Sequence, residues 1–220
     1  MDILNHHSWN LGYKEAIDIQ ETLSKKLILK GDLYNIQKIA GVDSRYIKNT
    51  NSIVSVVIIF SFPELKIIEV KYCSLKVDFP YMPGFLAFRE GPSIENCFKS
   101  LTNIPDVIFF DGHGFCHPRR FGLASHLGLI LNLPSIGCAK SNLCGEYELP
   151  VLKRGNFAYI RERDEIIGAV LVTKDNVNPA FISVGHRMSL QTAIALTLEV
   201  SKYRIPEPIR RAHNFLKSLI

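Results

Sequence analysis

Residues Ile36–Val77 read IQKIAGVDSRYIKNTNSIVSVVIIFSFPELKIIEVKYCSLKV. Three strands are legible in that stretch: Ile36–Tyr46, Ile53–Phe62 and Lys66–Val77, each rich in the β-branched and aromatic residues that suit a pleated surface. Asn49-Thr50-Asn51-Ser52 and Pro63-Glu64 separate them, and turn formers between apolar runs predict antiparallel hairpins. The middle run is nearly continuous in apolar residues, as for a strand covered on both faces. The third alternates, with Ile67, Glu69, Lys71 and Cys73 opposite Ile68, Val70 and Tyr72.

Outward from this meander the pattern changes. Upstream, residues 8–29 suit an amphipathic helix, with Ser8 as N-cap, Ala16, Ile19, Leu23 and Leu27 at helical spacing and Gly31 closing the end. Downstream, Pro80-Tyr81-Met82-Pro83-Gly84 forces an irregular loop. A helix is expected from Gly91-Pro92 to about Leu101, because Pro suits a first turn. Asp106–Phe110 reads as a short buried strand, 156–160, 166–172 and 180–184 as further strands, and 121–132, 189–203 and Glu207–Ile220 as helices. A meander followed by alternating strands and helices predicts a mixed α/β sheet with helices packed on it.

The chain has 220 residues with no repeat and no linker, and is read as a single domain over 1–220. At 47% hydrophobic and 21% charged, intrinsic disorder and coiled coil are excluded. The longest apolar run, Ile53–Phe62, falls short of the roughly 20 residues of a spanning helix. The N-terminus lacks the basic-then-apolar order of a secretory signal. Five cysteines with no C-x-x-C pair point to reduced thiols and a cytoplasmic setting. A net charge of +5 permits a polyanionic partner without requiring one.

Three acids stand where strands meet irregular chain: Asp43 in GVDSRY, Glu90 before Gly91-Pro92, and Asp111 after VIFF. An acid at the end of a hydrophobic strand needs solvent, a partner or a cation. Converging carboxylates form a hard oxygen site suited to Mg²⁺ or Mn²⁺, although an isolated Asp after a strand is most often a turn or capping residue. The segment Asp111-Gly-His-Gly-Phe-Cys-His-Pro-Arg-Arg adds His113, His117, Arg119 and Arg120, a phosphate-binding pattern or a basic turn. Zinc on Cys116, His117, Cys138 and Cys144 matches no standard spacing. Tyr81 and Met82 on a rigid loop can wedge between bases or pack down as loop core. Lys140 could meet a phosphate, and the helix start at Ser189 could hold an anion or simply be capped. His213, among Arg210, Arg211 and Lys217, reads alone as a surface histidine.

In this order, GVDSRY, PYMPGFLAFREGP, DGHGFCHPRRFGLASHLG, GCAKSNL and VGHRMSLQTAI resemble the endonuclease V (deoxyinosine 3′ endonuclease) family over roughly residues 8–218. The resemblance implies a ribonuclease H-like fold, a central mixed sheet of five strands with extra C-terminal strands and helices. It implies a Mg²⁺-dependent nuclease, Mn²⁺ also accepted, acting in DNA repair. Such an enzyme recognises hypoxanthine and cuts the second phosphodiester bond 3′ to it; some relatives prefer inosine-containing RNA. It implies Asp43 and Asp111 as metal ligands, with Glu90 completing the acidic site and His213 a further catalytic group. It implies Pro80, Tyr81, Met82 and Pro83 as a strand-separating wedge, Lys140 near the scissile phosphate, and Gly112, Gly114 and His117 as walls of a base pocket. The expected partner is inosine-containing nucleic acid, bound by a monomer with no membrane contact. Alternatives are a non-catalytic binding module of the same fold and a nuclease for a junction or RNA:DNA hybrid.

Overall fold

The computed structural model describes residue 4 and residues 6–219. The three expected strands are β1 (Lys38–Ile47), β2 (Ser52–Ser61) and β3 (Ile67–Lys76), paired as an antiparallel meander. β1 takes β4 (Val107–Phe110) as a parallel neighbour on its other side, and β5 (Ser135–Ala139) lies parallel to β4. The sheet does not stop at the five strands expected. β6 (Phe157–Glu162), β7 (Glu165–Leu171) and β8 (Ala180–His186) join it through β8, giving eight strands in the order β3-β2-β1-β4-β5-β8-β7-β6.

Strand alternation builds two cores on opposite faces. Ala40, Val42, Val57, Ile59 and Phe110 pack against α2 (Leu86–Lys99) and α3 (Leu123–Leu131). Ile39, Val56, Ile58 and Phe60 pack against α5 (Glu207–Leu219), and α4 (Leu190–Glu199) continues the same cluster over β7 and β8. This is why β2 reads as a continuous apolar run: both its faces are covered. Each such side chain contributes about 1.5–3 kcal/mol by leaving water. The strand–helix fit is close at Gly41, where a Cβ would stand 2.1 Å from Pro208 O. That glycine lets α5 cross β1 and brings the helix over the strand that carries Asp43.

Helix boundaries depart from expectation for identifiable reasons. The first helix, α1, spans only Tyr13–Ser24 and is capped at Gly12, whose N–H donates to Glu15 Oε2, not at Ser8. His7 and Trp9 are drawn instead into an aromatic cluster with Phe88 and His126. Beyond Ser24 the chain pairs with the end of β8, with Ile28 O accepting from Arg187 N and Gly31 O from Ser189 N. α2 begins at Leu86, before Gly91-Pro92, and carries Pro92 inside it. Burial of Phe85, Ala87 and Phe88 outweighs the helical hydrogen bond Pro92 cannot donate. Ile220, the expected end of the last helix, lies outside the described residues. Among those residues no helix is long and apolar enough to cross a membrane.

Candidate active site

Parallel pairing of β1 with β4 sets Val42 opposite Phe110, so Asp43 and Asp111 emerge side by side. Asp111 N–H donates to Val42 O at 3.2 Å. Asp43 Oδ1 accepts from the Ser44 amide at 2.8 Å, and its Oδ2 from His213 Nδ1 at 3.0 Å. Lys140, just past β5, places Nζ 2.5 Å from Asp111 Oδ2. Asp43, Asp111, Lys140 and His213 line one hollow of about 460 Å³. Glu90 lies inside α2 rather than ahead of a helix and does not line that hollow, but it is near enough to feel the charges of Asp43 and Asp111.

Two of the three acids are held up by their surroundings. Burial, then the Asp111 charge, pushes the Asp43 carboxyl up to about 6. Burial, then Asp43 and Asp111, pushes Glu90 up to about 8. Burial works to lower the Lys140 ammonium, but contact with Asp111 holds it above the usual lysine range. Among the described residues no three His, Cys, Asp or Glu side chains converge as a closed metal cage. The donor set instead fits a cation that keeps most of its positions open: two adjacent hard-oxygen carboxylates facing an open hollow.

A second hollow, about 250 Å³, adjoins the first. Gly112, His117 and Ser141 line it, with Tyr81, Met82 and Pro83 at its rim. The two hollows are stitched together by the chain: Asp111 and Lys140 face one, and their successors Gly112 and Ser141 face the other. Tyr81 is 70% exposed at the loop tip, while Met82 packs toward Phe79, Phe85 and Phe88. Pro80 is exposed beside them but does not line the hollow. The loop is anchored at one atom. Gly84 O accepts from Gln20 Nε2 at 2.9 Å, His117 Nε2 at 3.0 Å and Arg119 Nη2 at 3.1 Å. His117 Nδ1 accepts from the Arg119 amide, which fixes the neutral Nε2–H tautomer; burial holds its pKa down at about 4.

Sequence reasoning missed this anchor, since Gln20 lies in α1 with no motif around it. Gly114 is buried against β8, its N–H given to Ser183 Oγ, and lines neither hollow. Arg120 bonds Glu162 and Glu165, and Arg119 bonds Gln20 and Gly84, so in the free protein both serve structural contacts. The zinc reading fails because Cys138 is buried in β5 and His117 is bonded to Gly84. The α4 N-terminus is closed by Ser189, whose Oγ accepts from Thr192 N.

Likeness to known proteins gives the class first: a nuclease with a ribonuclease H-like fold, a hydrolase of phosphodiester bonds. The comparisons carry this to a family. A family model described as Endonuclease V matches residues 21–214. Endonuclease V of Dictyoglomus turgidum is 47% identical over 210 residues, 95% of this chain and 91% of that protein. The crystal structure of endonuclease V from Streptomyces avermitilis superposes with a TM-score of 0.91 at 37% identity, covering 96% of this chain and 94% of that one. Ciona intestinalis endonuclease V, in complex with a 24mer DNA containing an inosine followed by a ribo-adenosine, gives 0.82 at 30% identity, covering 94% and 98%. The chain belongs to the endonuclease V family.

Proposed function

We propose that the protein takes hypoxanthine from deoxyinosine-containing DNA into the smaller hollow and hydrolyses the second phosphodiester bond 3′ to it, as a step of DNA repair. The observation that carries this is the adjacency of the two hollows through Asp111-Gly112 and Lys140-Ser141. A base held in one sets its own strand across the acids of the other. At about 250 Å³ the smaller hollow lies below the roughly 300–1,000 Å³ of drug-sized sites, as suits one base.

Hypoxanthine presents the O6 and N7 acceptors of guanine without the exocyclic amine. Donors lining the hollow satisfy those acceptors, and the close walls leave no room for the amine. Adenine, a donor at position 6, leaves the wall donors unpaired at about 1–3 kcal/mol each. Exposed Tyr81 fills the gap left in the stack, which offsets part of the few kcal/mol of extrusion.

Asp43 and Asp111 would hold Mg²⁺ or Mn²⁺, which when bound polarises a phosphate oxygen and neutralises charge developing there. His213 orients Asp43 through Nδ1, and Lys140 brings positive charge to the phosphate beside Asp111. Glu90, held up at about 8, carries a proton near neutral pH.

The test is a 5′-labelled strand with one deoxyinosine, incubated with Mg²⁺ beside a matched inosine RNA. The expected product ends at the second bond 3′ to the lesion in DNA, and Asp43→Ala or Asp111→Ala removes it while binding persists. Full cleavage by either variant removes the acidic site from the mechanism, and preferred cutting of the RNA arm reassigns the substrate.

A further inference from the structure

All five cysteines are free, and two of them meet. Cys116 is buried in a small apolar cluster with Ile160, Ile167 and Val170, and Cys144 packs against that cluster. Cys116 Sγ stands 3.8 Å from Cys144 O, so the two cysteines touch where the loop of one passes the side chain of the other. The neighbouring thiol, more than burial, sets both: it holds Cys144 below its usual range and, with burial, pushes Cys116 above it. Cys144 is half-buried and Cys116 is not exposed, so solvent oxidants reach Cys144 first.

Cys97 also lies beside Cys73, but it is buried within α2. Cys97 turns its Sγ to Ser55 O at 3.4 Å, and burial pushes it up to about 12. Cys138 is enclosed in β5. Sequence spacing gave no sign of the pair, which β5, β6 and β7 assemble.

We propose that Cys116 and Cys144 form a redox-active dithiol, with Cys144 the attacking thiol and a hydroperoxide its oxidant. The Cys144 thiolate attacks the peroxide oxygen, the S–O bond forms as O–O breaks, and the departing alkoxide or hydroxide takes a proton from water. Cys116 sulfur then attacks the Cys144 sulfenic acid: S–S forms, S–O breaks, and the Cys116 proton leaves with the hydroxyl as water. Two electrons pass from the thiol pair to the peroxide.

The bond ties two walls of the base pocket. Ser141, Asn142 and Leu143 precede Cys144, and Gly112 and His113 precede Cys116; all five line the smaller hollow. His113 Nε2 already meets Ser141 O at 3.0 Å across it. Shortening a thiol contact to a covalent link of about 2.05 Å moves one wall toward the other.

The test treats the full chain with equimolar hydrogen peroxide, alkylates it, and maps peptides without reduction. Expected is one linked pair, Cys116–Cys144, two hydrogens lighter, with Cys73, Cys97 and Cys138 alkylated after unfolding. Cys116→Ala loses the link and exposes a Cys144 sulfenic acid that dimedone traps. A wild-type chain alkylated at every cysteine, links spread among other pairs, or Cys116→Ala unlabelled at Cys144 overturns the proposal. This reading needs no substrate, so its failure is separate from failure of the nuclease reading. The consequence for cleavage rests on that reading: oxidised enzyme should show a several-fold higher KM for the deoxyinosine strand, reversed by dithiothreitol and absent in Cys144→Ser. An unchanged KM overturns the coupling of the bond to the pocket.

Discussion

Asp43 is under opposing demands. The strand end that places it beside Asp111 also buries it, and its carboxyl rises to about 6 from an ordinary value of about 3.9. Between those values the folded chain keeps a proton that the unfolded chain has released. Its stability therefore falls as pH rises through that window, and the full loss is present above about pH 6. In metal-free buffer Asp43→Asn removes the loss but also weakens the contact with His213. The variant is expected to unfold at higher temperature than the parent at pH 7.5, by about 1–2 kcal/mol, with the gap closing near pH 4.5. Buried histidines titrate alike in both proteins and cancel in the difference. A gap that ignores pH, read by thermal unfolding, contradicts the charge-burial account. The same substitution abolishes cleavage under the proposed function, so a group that destabilises the fold is one the chemistry needs.

At the scale of the element, α2 decides where Glu90 stands, and Trp9 decides how α2 sits. A Cβ on Gly91 would lie 2.4 Å from the Trp9 ring, whose Nε1–H is fixed to Glu95 Oε2 at 2.6 Å. The ring cannot yield without losing that bond. Gly91→Ala is expected to lower the denaturant midpoint by the equivalent of about 1–3 kcal/mol. Trp9 is the sole tryptophan, so its emission should shift to the red with the midpoint; an unchanged spectrum and midpoint would mean the helix accommodates the methyl freely. This element also shows where the sequence stops being informative. The meander strands were legible because alternation and turn residues are local signals, and Asp43 and Asp111 stood out as acids at the ends of apolar runs. The start of α2 was not legible, because burial of Phe85 and Phe88 overrode the local signal of Gly91-Pro92. The triple anchor on Gly84 joins Gln20, His117 and Arg119 across distant segments, a relation no spacing rule encodes.

For the whole molecule, the three C-terminal strands extend the sheet beyond β5, so Lys140 leaves a central strand instead of an edge. Arg204, past α4, then fixes its backbone by donating to Lys140 O at 2.6 Å. A polyanion approaching this surface meets two aspartates, and attraction must come from the cations around them. Arg45, Lys140 and Lys217 line the same hollow, within a chain of net charge +5. Each lysine that meets a phosphate releases about one condensed counterion, which makes binding fall with salt. Lys140 is tied to Asp111 in the free protein, and under the proposed function it exchanges that partner for phosphate on binding. Lys140→Ala should therefore lower the slope of log affinity against log salt by about one, equally for deoxyinosine and undamaged strands. Its effect on cleavage should exceed its effect on binding, because the lost charge stands where the strand is cut. Titrations of a deoxyinosine strand in Ca²⁺ at several salt concentrations measure the slope. An unaltered slope would place Lys140 off the phosphate path and leave its ion pair with Asp111 as its whole role.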